Sequence, residues 1–252
     1  RVWDAPSDEE RERPPFWRYW RALPPKGQVG LLLNAWYEPP VRDRVARKCG
    51  KDAFESRLDR IAWFEQALAD DGAIIVKFWL HLDAETQRKR MKAYAKDPLR
   101  RWRATPRQWS ELRRYDRIIR AVERAIRRTS TEQAPWQVVE GTDERYRDLT
   151  VATIIRDAIR HGLDRAKERP PRGTATRRSR TPTAADPLAK TLDRVAKTYS
   201  VLGAIDLTQT IEKKRFRVEL ERQQGRLNLL QRKARDRGVS TIGVFEGWDA
   251  AG

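Results

Sequence analysis

Cysteine, histidine and methionine are almost absent from this sequence. It contains one cysteine, Cys49, and two histidines, His81 and His161, in 252 residues. One cysteine cannot form an internal disulfide framework, and two histidines this far apart do not make a zinc-binding cluster. The composition therefore excludes a small disulfide-stabilised scaffold and favours a reducing compartment, the cytoplasm.

Long apolar runs are absent as well. The most apolar segment, 73–82, is too short to cross a bilayer and contains Lys77. The first residues lack the apolar stretch of a secretion signal. We therefore expect a soluble cytoplasmic protein without a membrane segment. Because the chain begins at Arg1 rather than at a methionine, we also expect it to be a piece of a longer protein.

Positive charge and tryptophan are in excess. Lys and Arg number 54 against 36 Asp and Glu, which gives a formal net charge of +18. Such a charge predicts a polyanionic partner, either nucleic acid, an acidic membrane surface or a chain of phosphates. Ten tryptophans and a hydrophobic fraction of 39% supply enough apolar volume for one large domain or two smaller ones.

Strands and helices alternate along the first part of the chain. Short apolar runs predict strands at 29–33, 73–80 and 135–141. Strands separated by helices are typical of a parallel sheet in an α/β fold. The segment after the first strand, 34–40, is predicted to be a loop at the sheet edge where such folds bind ligands. Helical periodicity predicts the helices between the strands, at 54–68, 83–96, 105–128 and 143–162.

A change of composition divides the chain near residue 165. Between 165 and 187, Pro, Arg, Thr, Ser and Ala dominate and large apolar residues are scarce, which predicts a basic linker. After it, a long charged helix is predicted at 213–237 and a strand at 241–245. We therefore expect one domain at 1–164 and the beginning of another at 188–252.

The chain ends in a glycine turn with the G-x-x-x-x-G spacing of a phosphate-binding loop. In such a loop the backbone N–H groups curl around phosphate oxygens, and we expect Gly247, Ala250, Ala251 and Gly252 to bind phosphate. Asp249 is the leading candidate for catalysis, as a Mg²⁺ ligand or by orienting the acceptor phosphate. The spacing alone occurs often by coincidence, but its position after an apolar strand favours a phosphate site.

A second candidate phosphate-binding segment surrounds Trp102. Arg100, Arg101 and Arg103 interleave with this tryptophan in a predicted loop, and guanidinium groups make bidentate contacts with phosphate oxygens. We interpret the segment as a lid that closes over a phosphate chain. The alternative is a solvated basic loop in which Trp102 packs inward.

Four sequence segments together resemble one enzyme family. They are 12–27 (ERPPFWRYWRALPPKG), Lys96-Asp97-Pro98 with Arg101-Trp102, Thr129-Ser130-Thr131 with Ala134-Pro135-Trp136, and 245–252 (FEGWDAAG). They resemble the second family of polyphosphate kinases, in particular its tandem members, which transfer phosphate from polyphosphate to AMP. The resemblance implies a P-loop-kinase-like parallel sheet with flanking helices, comprising an incomplete first domain and the start of a second.

The residues after the first strand depart from the pattern of this family. Active family members carry Asp-Arg-Ser before Trp-Tyr after the first strand, whereas this chain has Leu33, Asn34 and Ala35 before Trp36-Tyr37. Leucine can neither ligate Mg²⁺ nor accept a proton. The first domain is therefore expected to be catalytically degenerate. Because the lysine expected after Gly252 is missing, residues 1–252 alone are predicted to be inactive.

The expected function of the longer protein is transfer of a phosphoryl group from inorganic polyphosphate to AMP, giving ADP, with Mg²⁺ as cofactor. Nucleic acid is not an expected partner, and the sequence leaves assembly into a homo-oligomer open. The alternative is a non-catalytic basic scaffold that binds polyphosphate or RNA through a degenerate kinase fold. The preferred direction of the reaction also stays open.

Overall fold

A four-stranded parallel sheet forms the centre of the protein. The computed structural model describes residues 1–3, 6–168 and 200–248. The strand order is β1-β4-β2-β3, and every neighbouring pair runs parallel. The strands are β1 (Val29–Leu33), β2 (Ile74–His81), β3 (Trp136–Glu140) and β4 (Thr241–Gly247). The α/β fold and the three strands expected in the first part of the chain are confirmed.

Nine helices accompany the sheet within the described residues. None of these helices combines the length and apolar composition needed to cross a bilayer. A short 3₁₀ turn, Arg101–Arg103, precedes α6. The helices are α1 (Asp8–Glu12), α2 (Trp17–Trp20), α3 (Glu38–Val45), α4 (Lys51–Asp70), α5 (Ala84–Lys96), α6 (Pro106–Arg113), α7 (Tyr115–Thr129), α8 (Glu144–Glu168) and α9 (Lys213–Asp236).

The last strand in the chain lies in the middle of the sheet. In β4, Thr241 pairs with Val29 of β1 on one side and with Ile74 of β2 on the other. Strand β4 thus completes the sheet built by 29–140, although it lies in 188–252, the residues expected to begin a second domain. The division of the longer protein into two domains stays a prediction. Residues 169–199, which include most of the predicted linker, lie outside the described part.

Two helical layers cover the sheet. On one face α4 and α7 bury residues such as Phe64 and Val122 against the strands. On the other face α8 and α9 pack together and bury Ile159 and Ala234 against β2. Burial of these side chains removes apolar surface from water and supplies the main stabilisation of the sheet.

One glycine has a packing role where the sequence suggested a helix end. Gly162 was expected to terminate its helix, but α8 continues through it to Glu168. A Cβ atom at Gly162 would lie 2.2 Å from Cδ1 of Ile74 in β2. A side chain at this position would therefore require the Ile74 side chain to shift, and Gly162 allows helix and strand to approach closely without capping the helix.

Two other helix boundaries differ from expectation. The predicted loop 34–40 is helical from Glu38 onward, because prolines in the first turn of α3 lose no helical hydrogen bond. The helix predicted at 105–128 is broken at Arg114, whose ψ of 14° lies outside the helical range. The capping box expected at its start is present, with Thr105 accepting from the Gln108 N–H group.

Candidate active site

A cavity of about 920 Å³ opens at the carboxyl edge of the sheet. All four strands end at this edge because they are parallel, and α/β folds bind ligands there. The cavity reaches from the end of β4 to α3, α6 and α7. Its polar and charged lining includes Asn34, Glu38, Arg42, Arg103, Arg107, Gln108, Glu111, Arg114 and Glu246.

The glycine turn leaves β4 inside this cavity. A Cβ atom at Gly247 would lie 2.7 Å from the carbonyl oxygen of Leu80, so only glycine fits beside β2. Trp248 follows, buried, and its ring stacks on Tyr115 with a centroid separation of 5.0 Å and an interplanar angle of 11°. The Tyr115 hydroxyl donates to the Leu82 carbonyl at 2.9 Å. These contacts fix the direction in which the turn begins.

Glu246 joins the ends of β4 and β1. Its Oε1 accepts a 3.0 Å hydrogen bond from the Ala35 N–H group. The pKa of Glu246 is raised to about 8, mainly by burial and in addition by the nearby Glu38 carboxylate, while the hydrogen bond from Ala35 acts in the opposite direction. Glu246 is therefore mostly protonated at pH 7, which makes it a poor Mg²⁺ ligand.

The end of β1 carries no carboxylate. Leu33 is its last residue, and Asn34 follows with a φ of 52° in the left-handed region that asparagine tolerates. The Asn34 N–H group donates to the Phe245 carbonyl at 3.1 Å, and this residue lines the cavity. Leu33 stands at the place where the family resemblance implies a metal-binding aspartate, and Asn34 stands at the place of the arginine.

A buried ion pair holds the segment after Asn34. Lys77 Nζ lies 2.7 Å from Glu65 Oε2, and both side chains are fully buried. Burial lowers the pKa of Lys77 and raises that of Glu65. Trp36 Nε1 and the Tyr37 hydroxyl both donate to Glu65 Oε1, at 2.9 and 2.8 Å. The pair therefore positions the two aromatic residues that link β1 to α3.

Arginines supply the positive charge of the cavity. Arg42 and Arg107 both donate to Glu38, at 2.8 and 3.1 Å, so part of this charge is already balanced. Arg103 lies over the rings of Tyr94 and Trp102, with centroid distances of 5.8 and 5.1 Å. These cations leave room for anionic groups of a ligand between α3 and α6.

The candidate lid places only one of its three arginines at the cavity. Arg103 lines it, whereas Arg100 and Arg101 do not. Arg100 lies 3.6 Å from the Asp97 carboxylate in an exposed pair. Trp102 is 69% exposed and does not pack inward, whereas Arg100 and Arg101 are exposed as the alternative of a solvated loop expects. The segment therefore presents one arginine and one tryptophan at the mouth of the cavity.

The glycine turn is described only in part. Gly247 lies where we expected it, but Asp249, Ala250, Ala251 and Gly252 lie outside the described residues. Within residues 1–3, 6–168 and 200–248, no three or more His, Cys, Asp or Glu side chains are placed to hold a metal ion. The sequence reasoning missed Glu38, Arg42, Arg107 and Arg114. Their only local signal was a position shortly after a strand or at the start of a helix.

A parallel sheet whose interior strand β4 ends at Gly247 beside a cation-lined cavity is the arrangement of a P-loop-kinase-like protein. The family model for Polyphosphate kinase 2 matches residues 2–167. The chain belongs to this family.

Relatives with assigned names extend the similarity over almost the whole chain. The polyphosphate:AMP phosphotransferase of Pseudomonas aeruginosa is 41% identical over 98% of this chain and 47% of its own length. A protein of the same name from Pseudomonas syringae pv. tomato is 35% identical over all of this chain and 48% of its own. The chain thus spans about half the length of these relatives.

A solved structure shares the fold. The crystal structure of polyphosphate kinase 2 from Arthrobacter aurescens is 27% identical, with a TM-score of 0.60. The matched region covers 78% of this chain and 64% of that protein. The similarity supports the parallel sheet and its helical layers as a shared architecture.

Proposed function

We propose that the protein containing this chain transfers a phosphoryl group from inorganic polyphosphate to AMP, giving ADP. One observation carries the proposal: β4, an interior strand of the sheet, ends at the arginine-lined cavity, where Gly247 and Trp248 form part of the lining. The names of the two Pseudomonas relatives support the same substrates. Those names do not favour the alternative of a non-catalytic scaffold.

Phosphoryl transfer asks the protein mainly to position donor and acceptor and to neutralise charge. In our proposal the backbone N–H groups of 247–252 donate hydrogen bonds to the two phosphate groups joined by the bond that breaks. Arg103 neutralises charge from the opposite side of the cavity. Trp248 keeps the turn in place through its contact with Tyr115.

Mg²⁺ is the proposed cofactor, and it would neutralise the transferring phosphate. The described carboxylates do not suit it, because Glu246 is protonated at neutral pH and Glu38 is paired with two arginines. Mg²⁺ commonly binds through one or two carboxylates, with phosphate oxygens and water completing the shell. Asp249 is the proposed carboxylate, and Ala250, Ala251 and Gly252 the proposed phosphate-binding amides.

The domain arrangement belongs to the same proposal. We infer a degenerate first domain at 1–164, a linker at 165–187 and the start of a second domain at 188–252, in a cytoplasmic protein. The absence of a carboxylate at Leu33 and Asn34 supports degeneracy of the β1 end. On this basis the chemistry depends on the glycine turn rather than on β1.

The reaction can be tested on the intact protein that includes this chain. AMP, polyphosphate and Mg²⁺ are incubated with it, and ADP is quantified by chromatography. We expect ADP to form at a rate that depends on all three additions. No ADP above the protein-free control would refute the proposed function.

Two substitutions test the assigned residues. Asp249→Asn should lower the rate by about a hundredfold or more, in line with the loss of a group that acts on the transition state. Mn²⁺ binding, followed by electron paramagnetic resonance, should weaken in the same variant. Arg103→Gln should raise the KM for polyphosphate, whereas Arg101→Gln, outside the cavity, serves as its matched control. Equal effects of the two arginine substitutions would contradict the assignment.

A further inference from the structure

Five arginines form a row along α6 and α7. Such spacing places the four arginines of α7 on one side of that helix, whereas Arg113 precedes the break at Arg114 and lies beside Arg117 at a shared hollow. The opposite side of α7 is buried in the core through Val122 and Ala125. The row therefore faces away from the sheet. Its members recur at alternating intervals of four and three residues: Arg113, Arg117, Arg120, Arg124 and Arg127.

Arginines on α7 and at its start line three neighbouring hollows. Arg114 lines both the cavity at the carboxyl edge and a neighbouring hollow of about 320 Å³. Arg117 and Arg120 line that hollow and also a larger one of about 730 Å³. From Arg117 to Arg127 the helix rises roughly 15 Å. The two hollows along α7 thus follow one another from the candidate active site and share lining arginines; together they are called the depression below.

The charges along this depression are unequally balanced. Arg124 makes two hydrogen bonds to Glu55, at 2.5 and 2.7 Å. By contrast, the exposed side chains of Arg113, Arg117 and Arg120 have no hydrogen-bond or ion-pair partner within the described residues. Seven Lys and Arg line the larger hollow against two Glu. The described residues lining the smaller hollow, nearer the active site, include four arginines and one carboxylate, Asp116, so cations are available there for a ligand.

Arg47 faces the same hollow in an unfavourable backbone conformation. Its φ of 60° lies in the left-handed region, where a residue with a Cβ atom is strained and glycine is not. It lies just past the end of α3 and, with Arg44, lines the larger hollow opposite the arginine row. An arginine in this backbone conformation lowers the stability of the fold, which is consistent with a functional role for its positive charge.

We propose that this depression binds the polyphosphate donor beyond the part of it that enters the active site. The inference rests on the proposed function. Polyphosphate presents negative charge at regular intervals, which suits a row of guanidinium groups and requires no recognition of bases. Single-stranded RNA fits less well, because stacking of bases needs exposed aromatic side chains. Phe54, the one aromatic side chain among the described residues lining the larger hollow, is buried.

A charge-matched pair of double variants tests the proposal on the intact protein. Arg117→Gln/Arg120→Gln removes two cations of the row. Arg226→Gln/Arg232→Gln removes two exposed cations from α9, in the layer on the other face of the sheet. Binding of long-chain polyphosphate and of tripolyphosphate is measured by calorimetry at two salt concentrations.

We expect the row variant to bind long-chain polyphosphate about tenfold more weakly. In a plot of the logarithm of affinity against the logarithm of salt concentration, its line should be less steep by about two. Each lost phosphate contact accounts for about one of these, by analogy with nucleic acids. Tripolyphosphate binding and the KM for AMP should change less than about twofold. The α9 variant should leave all of these within about twofold.

Equal weakening of both polyphosphates, or equal effects of the two double variants, would overturn the proposal. So would loss of binding to an RNA oligonucleotide without loss of binding to polyphosphate. Arg47→Gly adds a check on folding, since it should weaken long-chain binding while the melting temperature stays equal or rises. If no ADP forms in the activity assay, the proposed function fails separately, because the binding measurements need no turnover.

Discussion

Replacing Lys77 by methionine tests how strongly the buried ion pair stabilises the fold. The amine donates to Glu65 at 2.7 Å, to the Thr129 carbonyl at 2.6 Å and to the Tyr37 hydroxyl at 3.1 Å. Methionine keeps most of the side-chain volume but removes all three hydrogen bonds. The variant therefore leaves the buried Glu65 carboxyl without its cation.

The expected loss is about 3–5 kcal/mol, the usual result of removing one partner of a buried pair. The total free energy of unfolding of most domains is about 5–15 kcal/mol, so the loss is a large fraction of it. For a protein of this size each kcal/mol lowers the melting temperature by about 2–4 °C, which gives a decrease of about 6–20 °C. Circular dichroism and urea denaturation at pH 7 would measure both quantities.

Lys89→Met is the matched control. Lys89 and Glu85 are also 2.7 Å apart, but both of their side chains are 74% exposed, so water already solvates the charges. We expect its melting temperature to equal that of the wild type within error. The double variant Lys77→Met/Glu65→Gln should recover part of the loss, because it leaves no unpaired charge and keeps the oxygen that accepts from Trp36 and Tyr37. A loss below about 1 kcal/mol in Lys77→Met, or no recovery in the double variant, would refute the reasoning.

Two further predictions concern packing and pH. Gly162→Ala should destabilise the protein by about 1–3 kcal/mol, because the new Cβ meets Ile74. Thermal unfolding would measure this destabilisation. The double variant Gly162→Ala/Ile74→Ala should lose less stability than the sum of the two single variants, because the clash is absent. Losses that simply add would contradict the clash. The pKa of Glu246 is raised from 4.5 to about 8, so the folded state holds a proton that the unfolded state has lost between these pH values. Stability should therefore fall by up to about 1.4 kcal/mol per unit as pH rises from about 4.5 to 8. Glu246→Gln should lessen this fall in urea titrations across that range, and an unchanged slope would disprove the assignment.

Local patterns were sufficient to predict the strands of the first part of the chain. Val29–Leu33 and the run before His81 are apolar segments bounded by turns. Burial on both faces of a parallel sheet leaves that signature in β2, whereas β1 is an edge strand in which Leu31 and Leu33 are partly exposed. The capping box at Thr105 was readable for the same reason, since its hydrogen bonds join residues three apart.

The position of β4 could not be predicted in the same way. Pairing between parallel strands joins segments far apart in sequence and leaves no local pattern. The strand was therefore predicted correctly as an element, while its place between β1 and β2 came only from the structure. The glycine turn after it stays a prediction.

The cavity was predictable only in part. Arg103 was identified because it stands beside a tryptophan in a loop. Arg42 and Arg107 lie on helices four residues from a glutamate, a spacing typical of ordinary surface ion pairs. Only the packing of α3 against α6 and α7 shows that they share one cavity.

The central position of β4 also has a consequence for how the chain folds during synthesis. Val29 of β1 cannot pair with Thr241 of β4 until the ribosome has synthesised the chain up to that residue. Until then β1 and β2 each present an unpaired, apolar edge, which is the kind of surface that aggregates or requires a chaperone. Because such distant contacts close slowly, we expect refolding to be slow and to improve when holding chaperones are present.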